Sequence, residues 1–301
     1  MSFGGMTHVT IRCEMWSATD LEGGLALEKS GRAQRARIST MQKVLAIAFL
    51  WLAVGLPAPA QAPPTNVSLV SEDGVAKPGS SELIGIRFQV PEGWHIYWVN
   101  PGDAGEPPRV QWLLPAGWAA GPLQWPTPTR LVNAAGVDYG YEGDVMLLTR
   151  MRVGSAGGDL TANLSWLVCK NVCVPQKGIA KTAVRVGATA ANPTGKETIT
   201  AAKAKLPKTL PDDWKTNAIV NANEVVLNFR PGVKVERATF FPEDREVIDN
   251  STEQKLSSSS YAAQLRMKKA DSAKKIVRLK GVLLVDPGTG STAYSVDLSV
   301  K

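Results

Sequence analysis

Cysteine and histidine are scarce in this sequence, with 3 cysteines and 2 histidines among 301 residues. Three cysteines cannot build a disulfide-dense scaffold, and an odd number leaves one thiol without a partner in the chain. Two histidines argue against a His-rich metal site. Charged residues make up 20% and hydrophobic residues 44% of the chain, which excludes bulk disorder. Two domains are the expected count at this length.

A dense stripe of lysine and arginine is also missing, although the formal net charge is +7. Basic residues are mostly interleaved with acidic ones. The pairs Lys268-Lys269 and Lys274-Lys275 come closest to a cluster, and Asp271 lies between them. Short clusters of this kind are usually a solvated face. Nucleic acid is therefore not an expected partner.

The longest apolar run is Val44–Leu56, near the N-terminus. Lys43 precedes it and the small residues of Ala58–Ala60 follow it, which predicts a signal peptide cleaved after Ala60. The run of about 13 residues is too short for a bilayer span of roughly 20. Residues 1–40 are interpreted as an upstream extension, with Met41 as the true start. An uncleaved anchor behind a long cytoplasmic segment is the alternative.

Cleavage of residues 1–60 would remove Cys13 and one histidine. The mature chain then keeps Cys169, Cys173 and His95. Export places the two cysteines in an oxidising compartment.

Alternation of apolar and polar residues dominates the mature chain, and it predicts many short, half-buried strands. The clearest examples are 84–90, 160–168 and 294–300, with turn-forming Gly and Pro residues between such runs. This pattern indicates β-sandwiches. Residues 194–206 break it with helical spacing, which predicts one short helix. We place a domain boundary near 188, so that 61–188 and 189–301 each form one sandwich.

The segment Trp166–Pro175 carries the two mature cysteines, separated by three residues. Such a short separation allows a tight reversal that brings Cys169 and Cys173 to bridging distance. A disulfide that closes so small a loop removes little entropy from the unfolded chain, so it is a poor structural staple. Three interpretations stay open: a redox-active pair, a structural bridge, and a soft-metal dithiol site, which would need more ligands than His95 supplies. His95 itself is expected to be structural.

Together, several segments resemble the N-terminal periplasmic domain of the DsbD family of thiol:disulfide interchange proteins, especially its ScsB-like branch. The resemblance covers about 84–186, and residues 189–301 look like the second sandwich of that branch. The residues that carry it are Glu92–Trp98, Asn100–Asp103, Gln124–Pro126, Tyr139–Gly143, Trp166–Cys169 and Cys173–Pro175, with Ala238–Glu243, Val247–Asn250 and Leu279–Leu283 in the second region.

The resemblance implies two immunoglobulin-like sandwiches, an all-β fold with one short linking helix, and a redox-active cysteine pair that needs no cofactor or metal. By this similarity Cys173 would form the mixed disulfide with partners, and Cys169 would be the resolving thiol. By the same similarity, Tyr139 and Tyr141 would lie in a loop that caps the cysteine pair. Without the resemblance, this Gly-rich segment is interpreted as an ordinary hairpin connection.

The implied activity is that of a protein-disulfide reductase. It would carry electrons from a membrane thiol carrier to periplasmic thioredoxin-fold proteins. Because no membrane-spanning run or thioredoxin-type Cys-x-x-Cys follows the signal, the donor is expected to be a separate, CcdA/DsbD-like polypeptide. The alternative function is a non-catalytic envelope adaptor that contains a structural Cys169–Cys173 disulfide.

Overall fold

A computed structural model of the protein describes residues 63–134, 136–187 and 193–300. The predicted signal peptide and the predicted domain boundary near residue 188 lie outside these described residues. No helix in the described part of the chain combines the length and the apolar character needed to cross a membrane. The described strands form four sheets, all within one compact unit.

The first sandwich consists of two sheets, with strand orders β1-β3-β9-β6 and β2-β11-β10-β4-β8-β7; β5 also pairs with β10. Nearly all of its strand pairs are antiparallel. The strands are β1 (Asn66–Ser71), β2 (Val75–Ala76), β3 (Ser81–Gln89), β4 (His95–Gly102), β5 (Arg109–Leu113), β6 (Ala119–Gln124), β7 (Thr129–Asn133), β8 (Gly136–Glu142), β9 (Asp144–Arg152), β10 (Gly158–Cys169) and β11 (Cys173–Val186).

The second sandwich also has two sheets, with strand orders β12-β19-β18-β15 and β13-β14-β17-β16. One helix and a single 3-10 turn (Asp212–Trp214) precede most of its strands. The elements are α1 (Pro193–Lys203), β12 (Lys208–Thr209), β13 (Asn217–Val220), β14 (Glu224–Phe229), β15 (Arg237–Pro242), β16 (Lys255–Ser258), β17 (Ala263–Lys268), β18 (Arg278–Asp286) and β19 (Thr292–Ser299).

In the described part of the chain, an all-β fold of two sandwiches with one short helix confirms the sequence prediction. Strand β10 keeps the predicted alternation, with every second residue from Leu160 to Val168 buried in the core. Strand β3 is buried on both faces, which the alternation did not predict. The reason is α1, whose Ile199 and Ala202 pack against Leu83 on the outer face of that sheet.

Aromatic residues join the two sandwiches through a shared core. Phe241 and Val282 of the second sandwich are buried within the hydrophobic cluster of the first. The Phe241 ring stands edge-on to Tyr139, with a centroid distance of 5.3 Å, and to Trp98, at 6.4 Å. Edge-to-face pairs of this kind add to the stability that burial supplies. The two sandwiches therefore share apolar packing and are not joined by the chain only.

We expect Phe241→Ala to destabilise the protein by about 3–5 kcal/mol, because it leaves a cavity between the sandwiches. Urea unfolding followed by tryptophan fluorescence measures this change. Tyr261→Ala is the matched control, since that ring is 76% exposed in the same sandwich, and it should cost little. A loss of unfolding free energy below about 1 kcal/mol for Phe241→Ala is no more than a typical point substitution costs. It would show that the packing between the sandwiches contributes little to stability.

Candidate redox site

The two cysteines form a disulfide across the end of the β10–β11 hairpin. Cys169 is the last residue of β10 and Cys173 the first of β11, and they are direct partners in the strand register. Their Cα atoms are 4.2 Å apart, and the turn between them is closed by a hydrogen bond of 3.2 Å from Lys170 N to Val172 O. The hairpin itself thus brings the two sulfur atoms together.

Exposure differs sharply between the two cysteines. Cys169 is 2% exposed, whereas Cys173 lies on the exposed side of the hairpin. A thiol arriving from solvent can therefore reach the sulfur of Cys173 more easily than that of Cys169. Thiol–disulfide exchange depends on which sulfur is accessible to attack, so the pair is chemically asymmetric.

Strand alternation places the disulfide on the outer face of its sheet, away from the sandwich core. In β10 the core residues include Trp166 and Val168, so Cys169 points to the opposite face. In β4 the core residues are Ile96 and Trp98, which leaves His95 and Tyr97 on the same outer face as the cysteines. The register agrees with this, since His95 is the strand partner of Cys169.

Tyr97 supplies a polar contact to the disulfide. Its hydroxyl lies 3.3 Å from Cys173 Sγ, and the residue is only 1% exposed. Burial, with a smaller contribution from the charge of Asp138, raises the pKa of the Tyr97 hydroxyl to about 12. The hydroxyl is therefore protonated at neutral pH, and it must be the donor, because a disulfide sulfur carries no hydrogen. A thiolate at Cys173 would accept a stronger, charge-assisted hydrogen bond from it.

A buried histidine and aspartate complete the outer-face cluster. His95 Nε2 lies 3.5 Å from Asp138 Oδ2, and the two side chains are 9% and 4% exposed. The imidazole stands edge-on to the Tyr97 ring with a centroid distance of 5.1 Å. The same Asp138 oxygen accepts a hydrogen bond of 2.6 Å from Asn133. His95, predicted to be structural, therefore lies beside both Tyr97 and a buried carboxylate.

A loop that follows β4 covers the Tyr97 ring. Gly105 packs so tightly on it that an added Cβ atom would lie 2.1 Å from Tyr97 Cζ. The same residue has a φ of +83°, a conformation that favours glycine. Residues 103–106 are called the cover loop below. This loop explains how a side chain on the outer face of the sheet can be almost fully buried.

The structure corrects the prediction that Tyr139 and Tyr141 lie in a loop. Both belong to strand β8 and point into the sandwich core, on the sheet face opposite the cysteines. The Tyr139 hydroxyl donates to Asn250 Oδ1 at 2.8 Å, the Tyr141 hydroxyl donates to Pro126 O at 2.7 Å, and burial raises the pKa of both tyrosines. Gly140, one of the glycines of that segment, is needed because a Cβ there would lie 2.3 Å from Ile96 O.

Sequence reasoning missed Tyr97, Asp138 and the cover loop as parts of the site. A signal for Tyr97 was present, because His95 and Tyr97 are two residues apart in one strand and so share a face. Nothing local pointed to Asp138, which comes from another strand. Among the described residues, no group of three or more His, Cys, Asp or Glu side chains is arranged to hold a metal ion.

Comparison with known proteins gives a family and a fold. The family described as "Thiol:disulfide interchange protein DsbD, N-terminal" matches residues 66–184. The chain is similar to the crystal structure of the N-terminal periplasmic domain of ScsB from Proteus mirabilis. The match covers 81% of this chain and 96% of the ScsB domain, with 16% identity and a TM-score of 0.62. A match to a tandem of titin Ig domains covers 79% of this chain and 96% of the titin chain, with 11% identity and a TM-score of 0.20. No curated protein matches the chain.

A solvent-reachable disulfide on an immunoglobulin-like sandwich, together with the family match, defines a thiol–disulfide interchange domain. Residues 66–184 are a DsbD-family N-terminal domain, as the sequence motifs predicted. The ScsB likeness extends the shared fold over both sandwiches, since it covers most of each chain.

We expect Tyr97→Phe to raise the pKa of the Cys173 thiol by about one unit, because a hydrogen bond to the thiolate is lost. The rate of Cys173 alkylation near neutral pH should then fall by up to about tenfold. The measurement is the pH dependence of iodoacetamide alkylation of the reduced protein, with Cys173 followed by peptide mass spectrometry. Tyr141→Phe is the control, since its hydroxyl lies on the other face. Equal alkylation profiles for Tyr97→Phe and the unmodified protein would contradict the role of Tyr97.

Proposed function

We propose that this protein is an exported thiol–disulfide exchange protein that passes electrons from a membrane thiol carrier to thioredoxin-fold partners in the periplasm. The observation that carries the proposal is the asymmetry of the disulfide: Cys173 is exposed and faces the Tyr97 hydroxyl, while Cys169 is buried. Membership of residues 66–184 in a thiol:disulfide interchange family supports it, and the ScsB domain of similar fold is described as periplasmic.

Reduction begins when a thiolate of the donor attacks Cys173 Sγ. The Cys169–Cys173 bond breaks, Cys169 leaves as a thiolate, and a mixed disulfide joins the donor to Cys173. The second thiol of the donor then attacks the donor sulfur that is bonded to Cys173 in the mixed disulfide. The donor becomes a disulfide, and Cys169 and Cys173 become a dithiol that has gained two electrons and two protons.

Transfer to the acceptor reverses these roles. The Cys173 thiolate, stabilised by the Tyr97 hydroxyl, attacks the acceptor disulfide and releases one acceptor sulfur as a thiolate. Cys169 loses its proton and attacks Cys173 Sγ, which re-forms the Cys169–Cys173 bond. The acceptor leaves as a dithiol, carrying both electrons and, from solvent or the released groups, two protons. Burial of Cys169 beside Cys173 makes this resolving step intramolecular, which favours it over attack by an outside thiol.

A trapping experiment tests these roles. In cells that export the protein, Cys169→Ser should accumulate mixed disulfides between Cys173 and thioredoxin-fold partners, because no resolving thiol is present. Cys173→Ser is the matched variant and should accumulate few, because the remaining thiol is buried. The measurement is non-reducing electrophoresis after acid quenching, followed by mass spectrometry of the trapped species. Identical patterns for the two variants would contradict the proposal.

The second candidate function is a non-catalytic envelope adaptor in which the disulfide is structural. The observation on its side is the strand register, which pairs the two cysteines so that their bond needs no partner protein to form. The reduction potential separates the two functions. We expect equilibration with glutathione to give a potential above about −300 mV, the range of labile or catalytic disulfides. A lower potential would favour the adaptor.

A further inference from the structure

The second sandwich holds the cover loop at both of its ends. At the start of the loop, Asn250 Nδ2 donates a hydrogen bond of 2.7 Å to Asp103 Oδ1. At its end, Arg245 donates to Gly105 O at 3.1 Å and forms an ion pair of 3.3 Å with Glu106. Asn250 and Arg245 both follow β15 in the second sandwich. The loop is therefore tied to a different sandwich from the one that carries it.

The backbone that leads into the cover loop is anchored in the same way. Asn100 is 1% exposed, and its side-chain amide donates to Pro242 O at 2.7 Å and to Asp244 O at 3.2 Å. Its side-chain oxygen accepts from Gly102 N at 3.0 Å, which shapes the turn. Within the first sandwich, Asp103 exchanges backbone and side-chain hydrogen bonds with Val137. The loop therefore lies between two fixed supports.

A continuous line of contacts runs from these anchors to the reactive sulfur. Arg245 holds Gly105, Gly105 packs on the Tyr97 ring, and the Tyr97 hydroxyl lies 3.3 Å from Cys173 Sγ. The packing of Gly105 leaves no room for the ring to move toward the loop, since an added Cβ would overlap Cζ, Cε1 and Cε2. If the loop moved away, the ring would lose the surface that keeps its hydroxyl directed at the sulfur.

From this arrangement we propose that the second sandwich positions the redox site, with Arg245 and Asn250 acting as positioning residues that hold the cover loop on Tyr97. The second sandwich thereby increases the fraction of Cys173 present as a reactive thiolate, without touching the sulfur itself. This proposal rests on the proposed exchange function and gives the second sandwich a role in it beyond that of a spacer.

The strength of each anchor sets the size of the expected effect. The Arg245 side chain is 46% exposed, and an ion pair at such a site contributes little. Loss of the Arg245 contacts should therefore loosen the hold on the cover loop only in part. A direct clash with the Tyr97 ring should displace the loop fully. Gly105→Ala produces such a clash, because the added methyl group would occupy the position of the Tyr97 ring. Arg245→Ala and Gly105→Ala are thus a graded pair of variants.

The test is the pH profile of Cys173 alkylation by iodoacetamide in the reduced full-length protein. We expect Gly105→Ala to slow alkylation near pH 7 by at least about threefold, and Arg245→Ala to slow it by less, both through an upward shift of the profile. Alkylation rates at high pH, where the thiol is fully ionised, should be unchanged or faster. Combining either variant with Tyr97→Phe should add nothing, because all of them act through one hydroxyl.

Arg266→Ala is the matched control, since this arginine forms its ion pair with Glu224 inside the second sandwich. It should leave the profile unchanged, and thermal unfolding of each variant confirms that it is folded at the assay temperature. Unchanged profiles for folded Gly105→Ala and Arg245→Ala would overturn the proposal. So would effects that add to that of Tyr97→Phe.

Failure of this proposal differs from failure of the proposed function. The alkylation profile needs no partner protein, whereas trapping of mixed disulfides does. Unchanged profiles together with normal trapping by Cys169→Ser would remove the positioning role and leave the exchange function. Shifted profiles without any trapped partner would keep the positioning role and contradict the exchange function.

Discussion

The two-residue alternation of the strands around the hairpin is the constraint on which the rest of the structure depends. In β10 and β4 alternate side chains fill the sandwich core, and Cys169, His95 and Tyr97 of the redox site are among those on the outer face. A shift of one residue in register would move every side chain to the other face. It would bury the cysteines in the core and expose Trp166 and Val168. The apolar core therefore holds the site in place, although it contributes no atom to it.

The outer face of a sheet is normally exposed to solvent, so a tyrosine there that is only 1% exposed must be covered by another segment. The cover loop supplies it, and Gly105 allows its backbone to approach the ring more closely than any larger residue would. Desolvation raises the pKa of the Tyr97 hydroxyl to about 12, so this hydroxyl stays protonated even in mildly alkaline solution and can donate a hydrogen bond to sulfur. The burial of Tyr97, its hydrogen bond to sulfur and the exposure of Cys173 thus all affect the reactivity of the Cys169–Cys173 disulfide.

Local pattern was enough to predict the strands near 84–90, 160–168 and 294–300, the helix and the closeness of the two cysteines, because alternation, helical spacing and chain separation are all short-range features. Tyr139 and Tyr141 show where this reasoning fails. The glycines beside them suggested a loop, but Gly140 is required by close contact with Ile96 O, which belongs to another strand. A glycine needed for mobility and one needed for close packing look the same in sequence. Tyr97, in contrast, could have been found by following the alternation from His95.

The sandwich class, the resemblance to the DsbD family and the two cysteines of the site can be recognised in the sequence alone, since they depend on periodic patterns and short motifs. Which cysteine faces solvent, and which residues surround it, follows from the packing of the folded chain. Asp138 lies beside His95, the cover loop packs on Tyr97, and Arg245 and Asn250 come from another sandwich; all of them are distant in sequence from the two cysteines. Such contacts follow from how the sheets pack against each other, and no local pattern of residues encodes them.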